Sequence, residues 1–296
     1  MDNLDHKTHV KKRVSTALLL AAGTGSRLYP LTQNAPKCLT IVKGISILER
    51  MITNLKKNGF KRLVIVTGYF ESQIRDFLGD QSGDIKIEYV FSPLYKNTNN
   101  IYSLWMARKA IEEPFLLLES DLVFDEALLD EMLYPDRIAV AKMQPWMNGT
   151  SVTVNQSRQV KDFLVNNVDS LGDAKYKTVN IYSLSLKSWN GIVKILDKRI
   201  SDGKVNDYYE TVFAEMIADG SLHLEAVFFD DKPWYEIDTI DDLAEAQKLF
   251  SLNSYVPRKI FSILKPTFGT PIIKDITVPL KEPGSLSVTK TIQDPI

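Results

Sequence analysis

The apolar positions of this chain follow two rhythms. Unbroken apolar and β-branched runs, STALLLAA (15–22), KRLVIVTGY (61–69) and PFLLLES (114–120), have the length and residue types of strands buried on both faces. Between the first two, ISILERMITNLKKNG (45–59) returns apolar residues every three or four positions and stops at Gly59, as an amphipathic helix does. A helix near 71–78, a strand DIKIEYVF (84–91) and a helix IYSLWMARKAI (101–111) continue the alternation. This order predicts an α/β domain, a mostly parallel sheet flanked by helices, with ligands bound beyond the carboxyl ends of its strands.

After Asp136 the period shortens to strands. IAVAKM, TSVTVNQ, RQVKDFLV and TVNIYSLS read as a smaller β-rich region laid over the open edge of the sheet, offering a second pocket. Helices near 187–200 and 208–218 and a strand HLEAVFF (223–229) follow. In WYEIDTIDDLAEAQKLF (234–250) a short strand leads into a helix whose start is marked by Thr239, with Asp242 three residues on as a capping box. Asp238 then stands just before a helix N-terminus. From residue 251 onward the chain holds six of its 13 prolines and no tryptophan, so it reads as a linker or wrapping arm. The expected division is an N-terminal arm over 1–13, one catalytic domain over 14–250 and a tail over 251–296.

Charge narrows the chemistry. Lys and Arg total 36 against 37 Asp and Glu, a net charge of −1, which gives no general attraction to nucleic acid or to anionic membranes. Phosphate binding, if present, must be local. The lone Cys38 excludes an internal disulfide and reads as buried filler, in keeping with a reducing cytoplasm. No run approaches the roughly 20 apolar residues of a spanning helix, and the charged N-terminus lacks a signal peptide's length and cleavage site. The expectation is a cytoplasmic protein with no direct membrane insertion.

The first strand breaks into LLLAAGTGSRLYPLTQNAPKCL (18–39), where glycines allow close backbone approach and Arg27 and Lys37 bring cations to the same turn. The dinucleotide pattern G-x-G-x-x-G fails because Leu28 occupies the third glycine position, which disfavours an oxidoreductase; the Walker lysine pattern fails as well. What remains, A-A-G-T-G-S-R-L-x-P-L-T followed by Pro36-Lys37, resembles the signature of the nucleotidyltransferases that activate sugar phosphates and small alcohol phosphates. The resemblance covers about 14–250 and implies a Rossmann-like sheet. It implies that the first strand and turn, Leu20, Ala21, Ala22, Gly23, Thr24, Gly25 and Ser26, contact the nucleotide, and that Arg27 and Lys37 contact phosphates. It further implies that Asp121 of ESD and Asp238 of EIDT bind Mg²⁺. Taken alone, either aspartate could be a helix cap or a solvated acid. A nucleotide sensor on the same fold would be expected to lack one of these aspartates or the lysine, and this chain has all three.

Segments NNIYSLW (99–105), LLLESDLVF and WYEIDTIDDL resemble more closely the cytidylyltransferases acting on phosphocholine and on 2-aminoethylphosphonate. This branch implies CTP as donor, Asn100 and Ser103 near the nucleotide, and a small amino-bearing phosphonate or phosphate as acceptor. The phosphonate is preferred because the proline-rich tail resembles a linker to a fused or associated transaminase. Phosphocholine and sugar 1-phosphates stay open as acceptors, as does a homo-oligomer. For the acceptor's amino end, Trp146, Tyr182, Tyr208 and Tyr209 offer aromatic faces, while Asn100, Asn180, Asp207 and Glu210 offer hydrogen-bond acceptors. Aromatics at such spacing are more often core than cage.

Overall fold

The computed structural model describes residues 13–144, 147–165, 175–230 and 232–250. The 1–13 arm (all but Arg13), the 251–296 tail and Trp146 lie outside them. The strands are β1 (Thr16–Ala21), the short hairpin β2 (Ile41–Val42) and β3 (Ile45–Ser46), β4 (Arg62–Thr67), β5 (Gln81–Ser82), β6 (Ile85–Phe91), β7 (Phe115–Glu119) and β8 (Leu122–Phe124). They continue as β9 (Arg137–Lys142), β10 (Ser151–Val154), β11 (Val160–Leu164), β12 (Lys175–Leu184), β13 (Glu225–Phe228) and β14 (Trp234–Glu236). The helices are α1 (Ile47–Lys57), α2 (Glu71–Leu78), α3 (Asn100–Met106), α4 (Leu186–Ser201), α5 (Glu210–Ala218) and α6 (Ile240–Leu249).

Alternation along the central strands places one apolar set on each face. In β1, Ala17, Leu19 and Ala21 join α1 residues Leu48, Met51 and Leu55 on one side. Leu18 and Leu20 join Leu104 of α3, Trp189 and Ile192 of α4 and Phe213 of α5 on the other. A strand dry on both faces needs no polar alternation, which is why LVIV and FLLL are so readable. α1 begins where the Ser46 side chain accepts from Glu49 N (3.1 Å) and ends before Gly59 at φ 79°, a left-handed position that suits glycine.

Topology then selects the ligand end of the sheet. The chain lays β1, β4 and β6 side by side in parallel, then crosses back to place β7 on the other flank of β1, also parallel. This reversal of strand order opens a crevice at the carboxyl ends of β1 and β7. The β-rich second half does not form a layer of its own. It is hydrogen-bonded edge to edge onto the first, because β12 pairs antiparallel with β7 over Leu184 to Ile181, and the result is one sheet of ten strands. β12 also pairs β9 and β10, and β13 pairs β9. A third apolar cluster, Leu28, Val42, Ile47, Val123, Ile237, Leu243, Ala246 and Phe250, fastens the glycine turn, the hairpin and α6 together.

Candidate active site

The crevice is lined by Leu20, Ala22, Gly23, Gly25, Ser26, Arg27, Lys37, Tyr95, Thr98, Asn99, Asn100, Ser103, Glu119, Ser120, Asp121, Tyr208 and Asp238. Most of the nucleotide-contact expectation is therefore gathered in one place. Ala21 and Thr24 are not among these residues; Ala21 points to the opposite face of β1, into the α1 layer. Each glycine has its own reason. A Cβ on Gly23 would meet nothing within 4 Å, so this glycine leaves ligand space open. Gly25, at φ 63°, would bring a Cβ to 3.0 Å from Lys37 Cβ, so its absence lets the lysine stem pass. Gly68, singled out by no motif, would bring a Cβ to 2.7 Å from the Ala22 carbonyl oxygen and 2.8 Å from Tyr95, and so permits the close packing behind the turn.

Lys37 Nζ donates to Asp121 Oδ2 and to Asp238 Oδ1, both at 2.7 Å, and Arg27 Nη2 lies 2.7 Å from the same Asp238 oxygen. Burial alone would lower the lysine's pKa, but the two carboxylates outweigh it and hold the ammonium above its ordinary range. Asp121 is brought there by the end of β7, and Asp238 by β14, which pairs antiparallel with β8 and whose next residue, Ile237, donates from N to Asp121 O (2.9 Å). The capping box at Thr239 and Asp242 fixes the backbone immediately after Asp238.

Two glutamates accompany the aspartates, because residues two apart on extended chain face the same way. Glu119 and Glu236, from E-S-D and E-I-D, lie with Asp121 in a group in which each residue offers one carboxylate oxygen within 4.8 Å of the others. Asn180 Nδ2 reaches Glu119 Oε2 at 3.4 Å and Glu236 Oε1 at 3.3 Å, from a residue at φ 58° where the β12–β9 register shifts. Asn100 accepts from Tyr209 N (3.0 Å) and donates to Glu119 Oε1 (3.2 Å), tying the start of α5 to the end of β7. The side chain of Lys177, only 4% exposed, places Nζ 3.1 Å from Glu236 Oε2. Desolvation, then the surrounding carboxylates, raises the Glu119 pKa well above the ordinary range. Glu236 is raised by burial against the opposing pull of Lys177, and Glu210, buried at the first turn of α5, is pushed up to about 7, chiefly by burial.

Other expected residues fall elsewhere. Tyr208 lines the crevice, but Tyr182 and Tyr209 are fully buried, with their rings edge-to-face at 5.8 Å, so their place is in the core. Asp207 is taken by Arg199 at 3.0 Å. Cys38 is buried and its thiol is pushed up to about 12 by that burial, which leaves no nucleophile there. Glu119, Glu236 and Lys177 were not anticipated, although the repeated E-x-D was a visible signal for the two glutamates. Among the described residues no helix is long and apolar enough to cross a membrane.

The donors fit a hard divalent cation. Asp121 Oδ1 is buried without a hydrogen-bond partner, and carboxylate oxygens are what Mg²⁺ prefers. Residues 16–161 match the family model described as nucleotidyl transferase. Among curated proteins, the chain is 30% identical to the CMP-5'-(3-aminopropyl)phosphonate synthase of Streptomyces rubellomurinus over 86% of its own length and 41% of that relative's. It is 25% identical to the choline-phosphate cytidylyltransferase of Streptococcus pneumoniae, over 79% of this chain and 97% of that one. The solved structure of the CTP:phosphocholine cytidylyltransferase from Streptococcus pneumoniae superposes with a TM-score of 0.69 at 24% identity, covering 80% of this chain and 98% of that one, a likeness of fold. The segment 16–161, glycine turn included, thus matches the nucleotidyl transferase family, and the fold around it is of that kind.

Proposed function

We propose that the chain is a Mg²⁺-dependent cytidylyltransferase that joins CTP and 2-aminoethylphosphonate into CMP-2-aminoethylphosphonate, releasing pyrophosphate. The observation that carries this reading is the group of carboxylates behind the Lys37 end of the crevice. Glu119, Glu210 and Glu236 stand there with the Asn180 amide, and the primary ammonium of Lys177 is paired with Glu236 among them. A primary ammonium offers three N–H donors to such oxygens, whereas a quaternary one offers none and is held by aromatic faces. Tyr182 and Tyr209, buried against each other, present no open cage. The relative named for an aminopropylphosphonate product supports the same acceptor class.

In this reading Asp121 and Asp238 would hold the Mg²⁺, which would offset the charge of the triphosphate and of the incoming acceptor. A phosphonate oxygen of the acceptor attacks the α-phosphorus in line; a P–O bond forms as the bond to the β-phosphate breaks, and pyrophosphate leaves. That oxygen is ionised near neutral pH and needs no general base, in agreement with a crevice that has no histidine among its lining residues. Lys37 and Arg27 supply positive charge where it develops on the phosphates. We place the reaction in the cytoplasm, where nucleoside triphosphates and a reduced Cys38 both fit. The 251–296 segment suits a linker to a transaminase that handles the same amino compound.

The test is pyrophosphate release with Mg²⁺, offering 2-aminoethylphosphonate, phosphocholine and a sugar 1-phosphate separately, each with CTP, UTP, dTTP, ATP and GTP. Turnover of the phosphonate with CTP is the expected result. Preference for phosphocholine would keep the mechanism and overturn the acceptor; activity with sugar 1-phosphates alone would overturn the branch.

A further inference from the structure

Every cation positioned to meet a triphosphate is already bonded to a carboxylate positioned to meet a metal. Lys37 bridges Asp121 and Asp238 at 2.7 Å each, and Arg27 approaches the same Asp238 oxygen at 2.7 Å. We propose that Lys37 and Arg27 are resident counter-ions of the carboxylate pair. The divalent cation and the nucleotide then enter together by exchange: the metal takes the carboxylates while the two side chains pass to the phosphates. The inference rests on the reading above for its metal and nucleotide and is independent of the acceptor.

The charge balance argues for it. A metal entering alone would displace the Lys37 ammonium, whose side chain is only 12% exposed, and leave it partly desolvated without a partner. A triphosphate entering alone would strip both cations from Asp121 and Asp238 and leave two bare carboxylates beside a polyanion. When both enter, every charge has an opposite partner before and after. The two side chains suit the movement differently. The base of Lys37 is held by packing against Gly25, so only its outer methylenes need turn, whereas Arg27, with a side chain 68% exposed, is free to swing. The consequence is strong reciprocal coupling, in which each ligand tightens the other by the same factor.

Mn²⁺ in place of Mg²⁺ gives a readout other than turnover, since free Mn²⁺ can be counted by its paramagnetic resonance. Titrations without nucleotide would compare the wild type with Lys37→Met, Lys37→Arg and Arg27→Gln. Lys37→Met should bind Mn²⁺ roughly tenfold more tightly or better, within the range of coupling between two sites. Arg27→Gln should shift the affinity the same way by less, and Lys37→Arg, which keeps a cation on the seat, should match the wild type. Should Lys37→Met prove unstable, the exposed Arg27→Gln decides. Unchanged Mn²⁺ affinity in both neutral variants, with the Mn²⁺–CTP complex of the wild type intact, would overturn the exchange alone. Failure of the wild type to take Mn²⁺ even with CTP present would overturn the functional reading and the exchange with it.

Discussion

Single residues divide into those whose role their type announced and those whose role came from their neighbours. Asp121 and Asp238 belong to the first kind. Asp121→Ala and Asp238→Ala should each lower turnover by about 10²-fold or more, the loss typical of a group that stabilises transferring charge, while circular dichroism stays native. Retained activity in either variant would refute the metal role proposed for it. Glu210 belongs to the second kind, because burial at the first turn of α5 rather than any motif raises its pKa to about 7. An acid whose folded pKa is raised contributes stability that is complete below its ordinary pKa of 4.5 and is lost as pH rises towards about 7. Thermal melts of Glu210→Gln should therefore gain on the wild type as pH rises through that window, with little difference at its acid end. The acceptor's KM tests the same group: it should fall in the wild type as Glu210 ionises, and in Glu210→Gln it should rise by about tenfold or more, the worth of a hydrogen bond to a charged partner.

Elements place these residues, and some of their devices were readable while others were not. Thr239 followed by Asp242 gave away the start of α6, and the structure has both halves of the box, with Asp242 Oδ2 accepting from Thr239 N at 2.8 Å. Thr239→Ala should cost about 1 kcal/mol of unfolding free energy in a denaturant titration. It should also slow turnover, because the Thr239 hydroxyl donates to Asp242 Oδ2 (2.8 Å) and so steadies the carboxylate that accepts from Asp238 N (3.1 Å). The register shift that turns Asn180 inward is a different case. A left-handed asparagine inside an apolar strand carries no local mark; its reason is the pair of carboxylates it reaches, Glu119 on β7 and Glu236 on β14 of a separate sheet. Glu119 and Glu236 lie between. The repeated E-x-D was in view, yet only the pairing of β14 with β8 brings the two copies side by side.

At the scale of the whole molecule, the described residues close their own core, with Phe250 7% exposed in the cluster that fastens α6. A chain cut to 14–250 should thus fold cooperatively and retain the transfer reaction. Loss of either on removing 251–296 alone would show that the tail belongs to the catalytic unit. The sequence by itself determined the alternation of buried strands and amphipathic helices, the helix ends at Gly59 and Thr239, and the glycine turn with its two cations. These are local signals, since period, caps and backbone freedom act over a few residues. Only the tertiary structure decided that the second β region extends the same sheet and that Tyr182 and Tyr209 belong to the core. It alone joined Lys37, Asp121 and Asp238, residues far apart in the chain, into one ion cluster. Strand order and long-range pairing follow from which apolar faces bury one another across the whole fold, and no short stretch of sequence records that.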